Sequence, residues 1–184
     1  MTLLIFSDTD ILSKNKRYGD SRRSNRANLM VQTKIRSIKS RLINLMRRSS
    51  ADKWLLCKVF VLLGLCRFAI NVFSFHRLEK YMGARLTETA ATIPQGQLQI
   101  ARKIHWAIHI ISPFTPWTSN CFPQALCAKI LLRSAGISST LYMGAVFKPE
   151  GAALKGHAWL RCGPYYVTGG DSSKDFGAIA SFGE

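Results

Sequence analysis

The chain has 184 residues, 47% apolar content and a net charge of +16, which fits one domain with an appendage, large enough to bury a core without disulfide staples. The charge excess favours acidic partners, whether nucleic acid, anionic lipid or an acidic peptide. Five cysteines, an odd number with no CxxC pair, argue against both a disulfide framework and a zinc site.

Residues 1–50 hold twelve Lys/Arg against three Asp/Glu, more than half of the excess. The first 29 residues are polar and basic, with little to bury. Their short apolar start, early aspartates and lack of a small-residue cleavage site do not read as a secretory signal, so a reduced cytoplasmic compartment is expected. Residues 30–48 place Val31, Ile35, Ile38, Leu42 and Met46 at helical spacing among basic residues. This basic amphipathic helix either packs on the domain or docks on a membrane surface or a partner. Met30, at its start, is an alternative first residue to Met1. The domain proper is expected over 51–184, after a tail over 1–50.

Residues 52–73 are strongly apolar, but Lys58 and Arg67 interrupt them, which favours a buried core helix over a membrane span. A helix over 75–86 ends near Gly83, and a polar loop follows over 87–96. Residues 97–111 form a helix with Ile100, Ile104, Ala107, Ile108 and Ile111 on one side. His105 and His109 lie four apart on it, but lack a third ligand and read as surface or packing residues. Pro113 and Pro116 break the chain before Trp117. A helix spans 121–134, closed by Gly136. The pattern then turns to strands, over 139–147, 157–162 and from Tyr165, with Gly163-Pro164 as a turn. Helices followed by an antiparallel meander make an α+β plan.

Cys121 follows Thr118, Ser119 and Asn120, all good N-cap residues. It therefore opens the helix, where unpaired N–H groups and the helix dipole favour a thiolate and can receive an oxyanion. Cys127 sits inside the apolar run of that helix and Cys162 at a strand end; neither has a local activating feature. His157 opens a strand and is the candidate base for the thiol. Asp171 and Asp175 are the nearest acids to orient its ring, with Thr168 as a weaker substitute. Trp117 and Trp159 either wall a cleft or pack the core.

The run Trp117-Thr-Ser-Asn-Cys121-Phe-Pro-Gln-Ala-Leu126, then LLRSAGISSTLYMGAVF and GHAWLRCGPYYVTGG, resembles the lasso-peptide leader peptidases. These are the B proteins of lasso-peptide maturation, similar to the C-terminal domain of microcin-processing proteins. The resemblance covers roughly residues 52–183 and implies a transglutaminase-like, papain-like cysteine protease fold. It implies Cys121 as nucleophile and His157 as base in cutting the leader from a ribosomal precursor. The family's third residue is an Asp about a dozen positions after the His, where this chain has Gly169. Asp171 comes two residues late, so the orienting group is either Asp171 or a backbone or water partner.

The resemblance also implies partners: the lasso precursor peptide, a separate leader-recognition protein and an ATP-dependent ring-closing enzyme. Residues 1–50 lack a winged-helix pattern, so this is read as the stand-alone form. No P-loop is present and no intrinsic cofactor is expected. The peptide would need an extended binding edge near strand 139–147. Two other readings remain, an acyl transferase with an amine as second nucleophile, and a basic adaptor for nucleic acid or a membrane surface. The peptidase reading expects no nucleic acid.

Overall fold

The protein was analysed as a computed structural model that describes residues 48–146 and 155–184. The chain divides after Ser49 into two units, and all the architecture below belongs to the second. The amphipathic helix expected over 30–48 and the Met30 start fall outside the described residues, save the last position of that helix.

Helix α1 runs Ser50–Val72, followed by a short α2, Phe75–Glu79. A two-residue strand β1, Ala84–Arg85, precedes α3, Gln95–Ile111, and a 3-10 turn over Ser112–Phe114. Helix α4 then spans Cys121–Ser134. The strands β2, Thr140–Val146, β3, Lys155–Cys162, and β4, Tyr165–Thr168, follow in sequence. A 3-10 helix over Gly170–Asp175 leads into β5, Gly177–Gly183.

The five strands form one antiparallel sheet in the order β1-β5-β2-β3-β4. The expected meander is present as β2-β3-β4, but the C-terminal strand returns to lie on the other side of β2. Strand β2 is thus paired along both sides, and cannot offer the free edge expected near 139–147. The other exposed side of the meander, β4, is closed by α3: the His105 ring Nδ1 lies 2.8 Å from the Val167 carbonyl, to which it donates. The pair His105 and His109 stacks, and His105 is an edge-strand latch. Among the described residues, no group of three His, Cys, Asp or Glu could hold a metal ion.

Alternation sorts each strand into two faces. Leu141 pairs with Leu160 and with Phe182, and all three are buried on one face. Their neighbours Tyr142 and Trp159, paired on the other face, stack at 5.5 Å. Both faces are therefore covered, each buried Leu or Phe contributing about 2–3 kcal/mol. Arg161 ties the second face to the 88–90 segment by donating to Thr89 O at 3.0 Å and Glu88 Oε2 at 3.2 Å.

Helix α1 packs on α3 and α4 through Leu56, Val59, Leu63 and Cys66. Its opposite stripe, with Trp54, Val61, Leu65, Phe68 and Val72, is exposed. The helix is long and apolar enough to cross a membrane by length and composition alone. The expectation of a buried core helix is thus corrected in part: the side that meets α3 and α4 is buried, while the opposite stripe is exposed.

Candidate active site

Cys121 is the first residue of α4, and Asn120 holds the extended N-cap conformation without a side-chain cap bond. The first backbone bond of the helix is from Gln124 N to Asn120 O, at 3.2 Å. Pro123 has no N–H, which the first turn tolerates. The N–H groups of Cys121 and Phe122 are thus left facing out of the helix start, where a developing oxyanion would be stabilised.

The loop ahead of Cys121 is pinned. Thr115 Oγ1 lies 2.9 Å from Ser112 O, 3.0 Å from Trp117 O and 2.8 Å from Ser119 Oγ. Gln124 Nε2 donates back to Ser119 O at 2.8 Å. Trp117 packs on α1, its ring 5.1 Å from that of Phe60 and close against Gly64, where a Cβ would meet it at 2.8 Å. Trp117 is accordingly an anchor for the loop.

Helix α4 lies against β3, which carries His157 near its start. The imidazole is held on three sides. Trp159 stacks on it at 5.8 Å, Phe176 lies against it at 4.8 Å, and Nε2 is 2.9 Å from the carbonyl oxygen of Gly169. A carbonyl only accepts, so Nε2 carries the ring proton and Nδ1 is the basic nitrogen. No hydrogen bond joins the Cys121 thiol to the ring.

The partner of the ring is the backbone alternative. Strand β4 ends at Thr168, and Gly169 turns the chain with φ +69°. A Cβ there would meet Ala158 O at 2.6 Å and His157 Nε2 at 3.0 Å. Only glycine brings this backbone so close to the histidine. Asp171 is carried into the following 3-10 helix, where it is exposed and makes no hydrogen bond to the ring. Asp175, at the end of that helix, is also exposed. Thr168 is buried, and its hydroxyl has no partner among the described residues.

Of the two alternatives read from the sequence, Asp171 or a backbone or water partner, the structure has the backbone one, the Gly169 carbonyl. Sequence reasoning missed Phe176, which no local pattern marks as lying against the ring. All five cysteines are free thiols. Burial pushes Cys66 up to about 11 and raises Cys127 and Cys162 as well, so those three resist ionisation. Cys121 and Cys57 are the thiols that reach the surface.

This helix-start cysteine, set against a sheet whose strand carries a histidine, agrees with the comparison to known families. The transglutaminase-like superfamily model matches residues 60–181, and the chain belongs to that superfamily. No curated protein and no solved structure matches the chain. A transglutaminase-like domain of α+β, papain-like fold fits cysteine protease or acyl transferase chemistry.

Proposed function

We propose that this domain is a cysteine peptidase that removes the leader from a ribosomally made lasso-peptide precursor, with Cys121 as nucleophile and His157 as base. The observation that carries the reading is the pairing of two prepared elements, the open helix start at Cys121 and the fixed His157 ring on the strand packed beside that helix. The substrate class rests on the resemblance of the segments around Cys121 and His157 to the leader peptidases.

In the first half-reaction His157 Nδ1 takes the thiol proton and Cys121 Sγ attacks the carbonyl carbon at the leader–core junction. The oxyanion meets the N–H groups of Cys121 and Phe122. His157 then returns the proton to the departing core amine as the C–N bond breaks. In the second half-reaction water, deprotonated by Nδ1, attacks the thioester carbonyl, the C–S bond breaks, the leader leaves as a carboxylic acid, and the Nδ1 proton returns to Cys121 Sγ. The thiol–imidazole contact closes when the peptide is bound, as such contacts often tighten only in the substrate complex. The Gly169 carbonyl keeps the ring in the tautomer that presents Nδ1. No cofactor takes part.

The partners follow from the same reading: a separate leader-recognition protein that delivers the precursor, and an ATP-dependent enzyme that closes the ring on the new amino terminus. The free thiols fit a cytoplasmic setting.

Mass spectrometry of a candidate precursor, incubated with this protein and its recognition partner, tests the proposal. Two fragments whose masses add up to the precursor plus one water are expected. A leader fragment joined to an added amine, with no free acid, would replace hydrolysis by acyl transfer.

A further inference from the structure

A second concave surface lies away from Cys121 and His157. A cavity of about 630 Å³ opens between the C-terminal part of α1, the 77–81 segment and one side of α4. Its apolar lining includes Cys66, Ala69, Phe73, Leu126 and Ile130. Arg77, Lys80, Lys129 and Arg133 also line it, and no carboxylate does. On α4 the lining positions Leu126, Lys129, Ile130 and Arg133 follow helical spacing, so they form one continuous strip.

The four cations differ in how they are satisfied. Arg133 is already paired, its Nε 2.6 Å from Glu184 Oε1. Arg77 and Lys80 are exposed and form no ion pair among the described residues. Lys129 is only 3% exposed. Its Nζ donates to Ser139 O at 3.0 Å and Phe182 O at 3.2 Å. Both acceptors belong to residues outside the cavity lining, so the Lys129 ammonium is held by the domain's own backbone. The exposed Arg77 and Lys80 are the cations open to an anionic partner.

We infer that this cavity is the docking site for an acidic segment of a partner polypeptide, with an apolar side chain of that segment in the cavity and its carboxylates on Arg77 and Lys80. Charge complementarity sets the sign of the partner. Shape sets its class. The cavity, at about 630 Å³, has room for a protruding side chain, which a flat bilayer surface does not supply. The apolar surface also reaches solvent at its mouth, where the lining residues Phe73 and Tyr81 are 43% and 75% exposed. A small ligand would leave that surface in water, whereas a polypeptide covers cavity and rim together. The inference is independent of the peptidase reading, because neither Cys121 nor His157 lines this cavity.

The test uses the full chain and a fluorescein-labelled 12-residue peptide of Leu and Glu at helical spacing, read by fluorescence anisotropy. Two control peptides carry Lys in place of Glu and Ser in place of Leu. The Leu/Glu peptide is expected to bind saturably and at least tenfold more tightly than either control. The double variant Arg77→Glu/Lys80→Glu, at exposed unpaired positions, and the separate variant Ile130→Glu should each weaken it tenfold or more while circular dichroism stays unchanged. If Ile130→Glu disturbs the fold, the Arg77→Glu/Lys80→Glu pair decides alone. Absence of binding, equal binding of a control peptide, or binding untouched by the variants would overturn the assignment. It would also be overturned, in favour of a lipid surface, if phosphatidylglycerol vesicles bound and the peptide failed to compete with them.

Discussion

His157 Nε2 lies 2.9 Å from the carbonyl oxygen of Gly169, twelve residues further along the chain. The ring is thus oriented by a peptide dipole, with no bond to the carboxylate of Asp171. The consequence is a division of labour that mutation can read directly. Gly169→Ala puts a methyl group against Ala158 O and the imidazole, and adds about 1–2 kcal/mol for the left-handed backbone. We expect turnover of the precursor to fall roughly a hundredfold. Asp171→Asn, at an exposed position, should stay within about threefold of wild type. Steady-state cleavage of both variants checks this, and a large loss in Asp171→Asn with little in Gly169→Ala would move the orienting role to the carboxylate.

Phe176 covers the ring at 4.8 Å while Trp159 stacks at 5.8 Å. Removing the former frees the imidazole to turn without opening the core, since Phe176 is only partly buried. Phe176→Ala should lower kcat about tenfold and leave the thermal midpoint within a few degrees of wild type. Phe176→Leu should recover part of the loss. Equal kcat in wild type and Phe176→Ala would show that the Gly169 bond alone suffices.

Thiol accessibility gives a prediction that needs no substrate. Iodoacetamide should label Cys121 and Cys57, while Cys66, Cys127 and Cys162, buried and held protonated, stay unmodified in the folded protein. If the imidazole serves as base, His157→Ala should slow labelling of Cys121 several-fold without changing that of Cys57. Peptide mapping of the alkylated protein reads both.

The order of helices and the α+β, transglutaminase-like plan were legible because each rested on strong local signals. Helix α4 runs from Cys121 to Ser134 as its N-cap residues and Gly136 require, and Gly163-Pro164 turns β3 into β4. Strand β5 was not legible, because GAIASFG is mostly glycine and alanine, and its pairing with β2 is set by a contact across some forty residues of sequence. The burial of Lys129 left no signal in the sequence for a related reason. A lysine in a helix usually marks the solvent side, yet this one falls on the strip of Ala125, Ala128 and Leu132 and is buried with them. Trp117 and Trp159 had equal standing in the sequence, and only packing separates the loop anchor from the residue that stacks on His157.

Burial lowers Lys129 from its ordinary value of 10.5 to about 8. The folded state therefore binds fewer protons than the unfolded state between those values, and stability rises as pH increases through that window. The buried thiols act in the opposite sense. Their values are raised from 9.0, so above that pH they make stability fall. The thiol contribution cancels when wild type is compared with Lys129→Met, so urea unfolding followed by circular dichroism should show the stability of wild type relative to that variant rising from pH 8 to 10, by at most about 1.4 kcal/mol per pH unit for one proton. A difference that stays constant across that range would contradict the burial of a charged Lys129.

The most direct test of the Cys121–His157 assignment is cleavage of the precursor by wild type, Cys121→Ala and His157→Ala side by side, each with the recognition partner and read by mass. We predict leader release by the wild type and none by either variant, with both variants folded by circular dichroism. Leader release that survives Cys121→Ala would contradict the account.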